Sequence, residues 1–185
     1  MSEQLQSDFD KIVKTSKLSN EEIQFKKNFL DNFKKRGFPN RKQEDWKFLD
    51  ISQIIKKNIS NLSFFNDYSQ SNKIDPSIFV YGFEHNKIIF INGRIEKIDF
   101  NFEDQNKIEI IDETKKDIPF DYENSLIDLN SAFTDKVFKI LIKKDYSLKK
   151  PLIIYHTTDN KINSTNINLR LDFELGENSY LKLID

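Results

Sequence analysis

The hydrophobic periodicity of this chain changes once, from the helical repeat of about 3.6 residues to a repeat of two, and that switch constrains the fold more than any single motif. The first third carries the helical repeat. Ser19-Asn20-Glu21-Glu22 fits a capping box, in which a Ser hydroxyl and a Glu carboxylate satisfy each other's orphan amides. Beyond it, Ile23, Phe25, Phe29, Leu30 and Phe33 fall within an arc of about 160° at 100° per residue, with only Glu22 and Lys26 intruding. Lys34, Lys35 and Arg36 suit the negative end of the helix dipole, Gly37 suits a C′ position, and Pro39 is a stop. A weaker helical pattern runs earlier, through Leu5, Phe9, Ile12 and Val13. A short helix through Ile54 and Ile55 is expected after the 40–51 stretch.

The stretch from Asn58 to Pro76 is rich in Asn, Ser and Asp and reads as a connector. From about Ile78 the repeat is two. Lys87–Ile91 and Arg94–Phe100 flank Asn92-Gly93, a strong signal for a tight hairpin turn. Lys107–Ile111, Val137–Ile142 and Leu152–Tyr155 are further strands, and Asp121–Phe133 reads as a turn and a short helix. The best alternation is Ile167, Leu169, Leu171, Phe173 and Leu175, followed by a Gly176-Glu177-Asn178 turn and a last strand over Ser179–Ile184. The expectation is an α+β chain: a helical N-terminal domain over 1–60, a connector over 61–77, and a β-strand region over 78–185. Strands recurring at this spacing fit a sandwich, a barrel or a β-solenoid. Because the last strand meets the chain end without a cap, truncation is also expected.

Composition narrows the function classes. The 185 residues include no Cys, which excludes disulfides, thiol nucleophiles and thiolate metal ligands within this segment. Net charge is −1 with acids and bases interspersed, so neither a nucleic-acid nor a membrane partner is indicated. The polar start lacks a signal-peptide core and no apolar run approaches a bilayer span, so a cytoplasmic location is expected. With 37% hydrophobic residues and 17 Phe, the core should be rich in aromatic rings.

No residue stands out as catalytic, cofactor-binding or metal-ligating. His85 and His156 lack partners at ligand spacing; His85 reads as a surface turn residue and His156 as a hydrogen-bonded structural one. The serines lack a nucleophile elbow, and the four glycines form no phosphate loop. The basic and aromatic run from Lys34 to Lys47 could suggest single-stranded nucleic acid, but Glu44 and Asp45 dilute it. Trp46 reads as an anchor of the helical domain, with a partner-protein surface formed by Arg41, Lys42 and Trp46 as the alternative.

Phe38-Pro39-Asn40-Arg41-Lys42-Gln43-Glu44-Asp45-Trp46-Lys47-Phe48 resembles the proline–x–arginine–lysine–x–glutamate–x–tryptophan–lysine–aromatic signature near the start of SufD proteins, in the SufB/SufD family of iron–sulphur cluster assembly scaffolds. Ile89-Phe90-Ile91-Asn92-Gly93-Arg94 is similar to the strand and turn that open that family's sheet region. Leu129-Asn130-Ser131-Ala132-Phe133 and Glu174-Leu175-Gly176-Glu177-Asn178-Ser179 resemble later segments in the same order. Leu49 and the glycine-free Thr134-Asp135-Lys136 depart from the pattern. The resemblance implies a helical domain followed by the first rungs of a right-handed parallel β-helix. It implies a non-catalytic scaffold that pairs with a SufB-like paralogue and a SufC-like ATPase, and meets an iron–sulphur cluster only transiently, within the complex. A β-solenoid enzyme acting on polysaccharide, and a small stand-alone adaptor, are the alternative readings.

Overall fold

The computed structural model describes residues 2–65, 75–113, 124–135, 137–159 and 162–185. It is a mixed α+β structure with four helices and two small sheets, and no closed barrel among the described residues. Two compact units divide it, and neither is continuous in sequence: one comprises Met1–Asn66, Thr114–Lys136 and Asn163–Arg170, the other Asp67–Glu113, Val137–Ile162 and Leu171–Asp185.

The helical unit holds α1 (Ser2–Thr15), α2 (Asn20–Arg36), α3 (Ile51–Asn58) and α4 (Ser125–Phe133). The capping box at the start of α2 forms in full: Glu22 N–H donates to Ser19 Oγ at 3.2 Å, and Ser19 N–H donates to Glu22 Oε2 at 2.7 Å. Gly37 ends α2 with a φ of 69°, and its amide donates to the Phe33 carbonyl. The apolar faces of α1, α2 and α4 meet in one aromatic core of Leu5, Phe9, Ile12, Leu30, Phe33, Phe38, Phe64, Leu129, Ala132 and Phe133. Its rings pack at angles, Phe33 edge-on to Phe38 at 5.0 Å and Phe64 tilted on Phe133 at 5.3 Å, as their quadrupoles favour.

Phe64 belongs to no helix, yet a carboxylate holds it in this core. Asp8, fully buried on α1, accepts the Phe64 amide at 2.8 Å, the Gln4 amide at 2.9 Å and the Lys11 ammonium at 2.8 Å. The adjacent Ser63 bridges in parallel to Thr165, and Asn130 Nδ2 donates to the Leu169 carbonyl at 3.1 Å. Part of the segment with the best sequence alternation thus lies against helices. Its strand begins only at Arg170.

The strand unit holds β1 (Asn86–Ile91), β2 (Arg94–Asp99), β3 (Ile108–Glu113), β4 (Val137–Ile142), β5 (Leu152–Thr157), β6 (Arg170–Leu175) and β7 (Leu183–Ile184). The sheet orders are β2-β1-β5-β7 and β3-β4-β6. Asn92 and Gly93, with φ of 54° and 84°, make the hairpin turn between the antiparallel β1 and β2. β1 and β5 are parallel, with Ile88 opposite Ile154, and β5 and β7 are parallel, with Leu152 opposite Leu183. β1 and β5 are near-continuous apolar runs, as strands covered on both faces are. The expected last strand over 179–184 is shorter than its pattern: only Leu183–Ile184 form β7, and Tyr180 makes a single bridge to Ser147.

His85 departs from the surface role expected of it, while His156 is hydrogen-bonded as expected, though exposed. His85 is buried, its ring nitrogens 3.0 Å from the Phe83 carbonyl and 2.8 Å from the Tyr155 hydroxyl. His156 is exposed, stacked on Phe90 and 2.8 Å from the Asp185 carboxylate. The exposure of His156 follows from its place on β5, whose burial stops after Tyr155. Among the described residues no helix is long and apolar enough to cross a membrane. The 66–74 part of the expected connector lies outside them.

Candidate functional site

The segment that carried the sequence resemblance is a loop closed at its neck. Phe38 and Pro39 are buried in the helical unit, and the Ile51 amide at the start of α3 donates to the Pro39 carbonyl at 3.1 Å. Between these ends the chain bulges outward as a compact loop with its ends together, a form often used for recognition. Asn40 starts the turn, its Oδ1 accepting from the Lys42 amide at 3.0 Å and its carbonyl from the Gln43 amide at 3.1 Å. A 3-10 turn follows over Glu44–Trp46, and Leu49 N–H closes onto the Trp46 carbonyl at 2.9 Å. Asp50 then caps α3 through the Gln53 amide at 2.8 Å.

Local backbone bonds therefore fix the loop and leave its side chains outside. Phe48 is 87% exposed, contacted by the Lys47 ammonium at 5.3 Å from the ring centroid. Lys47 also pairs with Glu44 at 2.9 Å. Arg41 and Lys42 are exposed, and neither side chain has a partner among the described residues. Burying Phe48 would remove about 2 kcal/mol of apolar exposure. An aromatic ring held out on a hydrogen-bonded loop that also carries the exposed Arg41 and Lys42 is a surface suited to protein contact.

Trp46, expected to anchor the helical domain, is only partly covered by it. It is half-buried, and it lines a cavity of about 540 Å³ with Arg36, Pro39, Gln43, Asp45, Asn124 and Ser125. Arg36 Nη1 donates to the buried Asp128 Oδ2 at 2.8 Å, which pins the guanidinium over the first turn of α4. Asn124 caps that turn, its Oδ1 accepting from the Leu126 amide at 2.9 Å. Sequence reading could flag the Asn124 cap. The approach of Arg36 and Trp46 to it was invisible, because about ninety residues separate Arg36 from its partner Asp128.

The most engaged carboxylates serve the backbone. Glu103 accepts from Asn86 Nδ2 at 2.8 Å, the Tyr146 hydroxyl at 2.7 Å, and the Lys149 and Lys150 amides at 3.0 Å each. Burial pushes the Glu103 carboxyl up, but these four donors outweigh it and hold it below its ordinary value. Asp8 behaves alike: burial raises it, and the donors from Lys11, Phe64 and Gln4 together bring it lower. Carboxylates with their lone pairs so occupied hold loops in place and are poor proton shuttles. Among the described residues no group of three or more His, Asp or Glu is arranged to hold a metal ion. No protein-family model matches this chain, and no curated protein sequence matches it.

Proposed function

We propose that this chain is part of a non-catalytic scaffold subunit of the SUF iron–sulphur cluster assembly machinery, similar to SufD and acting in the cytoplasm. The observation that carries this reading is the way the strand unit stacks. The chain through 142–153 and the chain through 176–184 run side by side in the same direction. The Asp145 amide donates to the Glu177 carbonyl at 2.9 Å, Leu148 to Tyr180 at 3.0 Å and Leu152 to Lys182 at 2.9 Å. Asn178 meets Asp145, 33 residues earlier, at 2.9 Å. Each pass crosses from the β3-β4-β6 sheet to the β2-β1-β5-β7 sheet, as coils of a solenoid do. On this reading the two passes are early rungs of a right-handed parallel β-helix, preceded by a helical unit that carries the Arg41–Phe48 loop.

A scaffold of this kind works by binding. Its partners would be a SufB-like paralogue and a SufC-like ATPase, with the cluster as cargo assembled at the level of the complex. The exposed Phe48 loop and the structural use of Asp8 and Glu103 favour an assembly role over hydrolysis of polysaccharide. The test is affinity purification of the full-length protein from its own cells, followed by mass spectrometry. Co-elution of both partners in stoichiometric amounts is expected; recovery of neither overturns the assignment.

A further inference from the structure

The outer strand of the β2-β1-β5-β7 sheet is β2, and among the described residues no strand pairs with its far edge. Its sequence, Arg94-Ile95-Glu96-Lys97-Ile98-Asp99, is its own complement when reversed. Laid antiparallel against a second copy, Arg94 faces Asp99, Ile95 faces Ile98 and Glu96 faces Lys97, each on both sides of the axis. In a regular strand this register fails. A two-fold axis between antiparallel strands stands normal to the sheet and keeps each face on its own side, so facing residues must share a face. Residues an odd number of positions apart in a regular strand point to opposite faces.

The bulge in β2 removes that conflict. Ile95 lies opposite Phe90 and Ile98 opposite Ile88, so both take the face that Ile88 and Phe90 share in β1. Arg94, Lys97 and Asp99, opposite Ile91, Ile89 and Lys87, take the other face. Glu96 is the extra residue, and with Lys97 it opposes the single residue Ile89. The backbone agrees. In a two-residue hairpin the pair beside the turn, Ile91 and Arg94, exchanges both bonds, and counting onward across the bulge turns the amides and carbonyls of Ile95 and Ile98 to the outer edge. These are two residues that the register brings face to face. Ile98 is 42% exposed, and Glu96 and Lys97 are exposed.

We propose that β2 pairs with β2 of a second copy of this chain, giving a symmetric dimer with one sheet running across the axis. Lys97 meets Asp99 of its own chain only at 3.8 Å, and ion pairs of exposed side chains exchange partners at little cost. Bulges and edge charges commonly keep strands apart, and here the same devices admit one partner, the strand itself. The contact is a single short strand from each copy, below the size of a stable interface, so the dimer is weak and reversible.

The test is sedimentation equilibrium of the whole 185-residue chain from micromolar to millimolar concentration. A reversible monomer–dimer equilibrium is expected for the parent. Glu96→Lys sets two cations against each other at both crossings, and Lys97→Glu sets two carboxylates. Each should raise the dissociation constant by about tenfold. The double variant Glu96→Lys/Lys97→Glu exchanges the signs and should recover the parent's constant. An equimolar mixture of the two single variants should also associate, because each then faces the opposite charge. Both side chains are exposed, and a thermal melt checks that every variant folds. Three results overturn the proposal: a parent that stays monomeric to millimolar concentration, a dimer that Glu96→Lys leaves unaltered, or single variants whose mixture does not associate. A dimer formed through the Phe48 loop or the last strand would give the second of these.

Discussion

The Asp8 carboxylate on α1 holds the backbone amide of Phe64 at 2.8 Å, across 56 residues of chain. That bond seats a non-helical segment in the aromatic core, with the Phe64 ring between Phe38 and Phe133. Asp8→Asn turns an amide group toward a donor and removes the charge that Lys11 pairs with. It should destabilise the protein by about 1–3 kcal/mol in urea unfolding. Lys11→Gln should cost less, because Lys11 is half exposed. Equal costs for the two substitutions would mean that the ion pair, not the amide bond, matters.

Acid should act through Asp8 and Glu103 together. Both carboxyls lie below their ordinary values in the folded state. Their contribution is therefore complete above the unfolded-state values, near 3.8 and 4.5, and is lost as pH falls through the lower folded values. Unfolding free energies measured from pH 6 down to pH 3 should decline steeply in the parent protein. The decline should be shallower in an Asp8→Asn/Glu103→Gln double variant. Parallel curves would show that other groups drive the acid response.

Phe33 and Phe48 make a controlled pair. Phe33 is 1% exposed and Phe48 is 87% exposed. Phe33→Ala should cost about 3–5 kcal/mol, and Phe48→Ala should stay within about 0.5 kcal/mol of the parent. If the loop is a docking surface, Phe48→Ala should also reduce partner recovery from cells while the melting temperature stays unchanged. Full recovery would remove Phe48 from the interface.

Gly176 tests the side-by-side passes of the strand unit. Its amide donates to the Ile142 carbonyl at 2.8 Å, and a Cβ placed on it would lie 2.4 Å from the Lys144 backbone nitrogen. Backbone cannot yield as a side-chain tip can, so Gly176→Ala should cost about 1–3 kcal/mol. Hydrogen exchange should show the loss first at the amides of Asp145, Leu148 and Leu152, which bond to the later pass. Unchanged protection there would separate the glycine from the stacking.

Local chemistry made much of this structure legible in the sequence. The α2 boundaries follow from the Ser19–Glu22 box and Gly37, because capping needs only residues within one turn. Asn92-Gly93 fixed a hairpin for the same reason: two positive φ angles in sequence select those residue types. The Phe-rich composition anticipated an aromatic core. None of these features depends on what lies across the fold.

Tertiary contacts decided the rest. Alternation predicted strand from Ile167, yet 163–169 is irregular and belongs with the helices, because Ser63 and Asn130 supply backbone partners there. His85 is buried against Tyr155, 70 residues away, and exposure of His156 depends on where β5 loses its cover, which no neighbouring residue encodes. The Trp46 cavity is the furthest case. Arg36, Trp46 and Ser125 are ordinary in their own segments, and only packing of α2, the 39–51 loop and α4 brings them to one place. Periodicity and capping are local energies, written residue by residue, so the sequence alone determined the elements. Convergence of polar groups from distant segments is a property of how those elements pack, and only the tertiary structure could decide it.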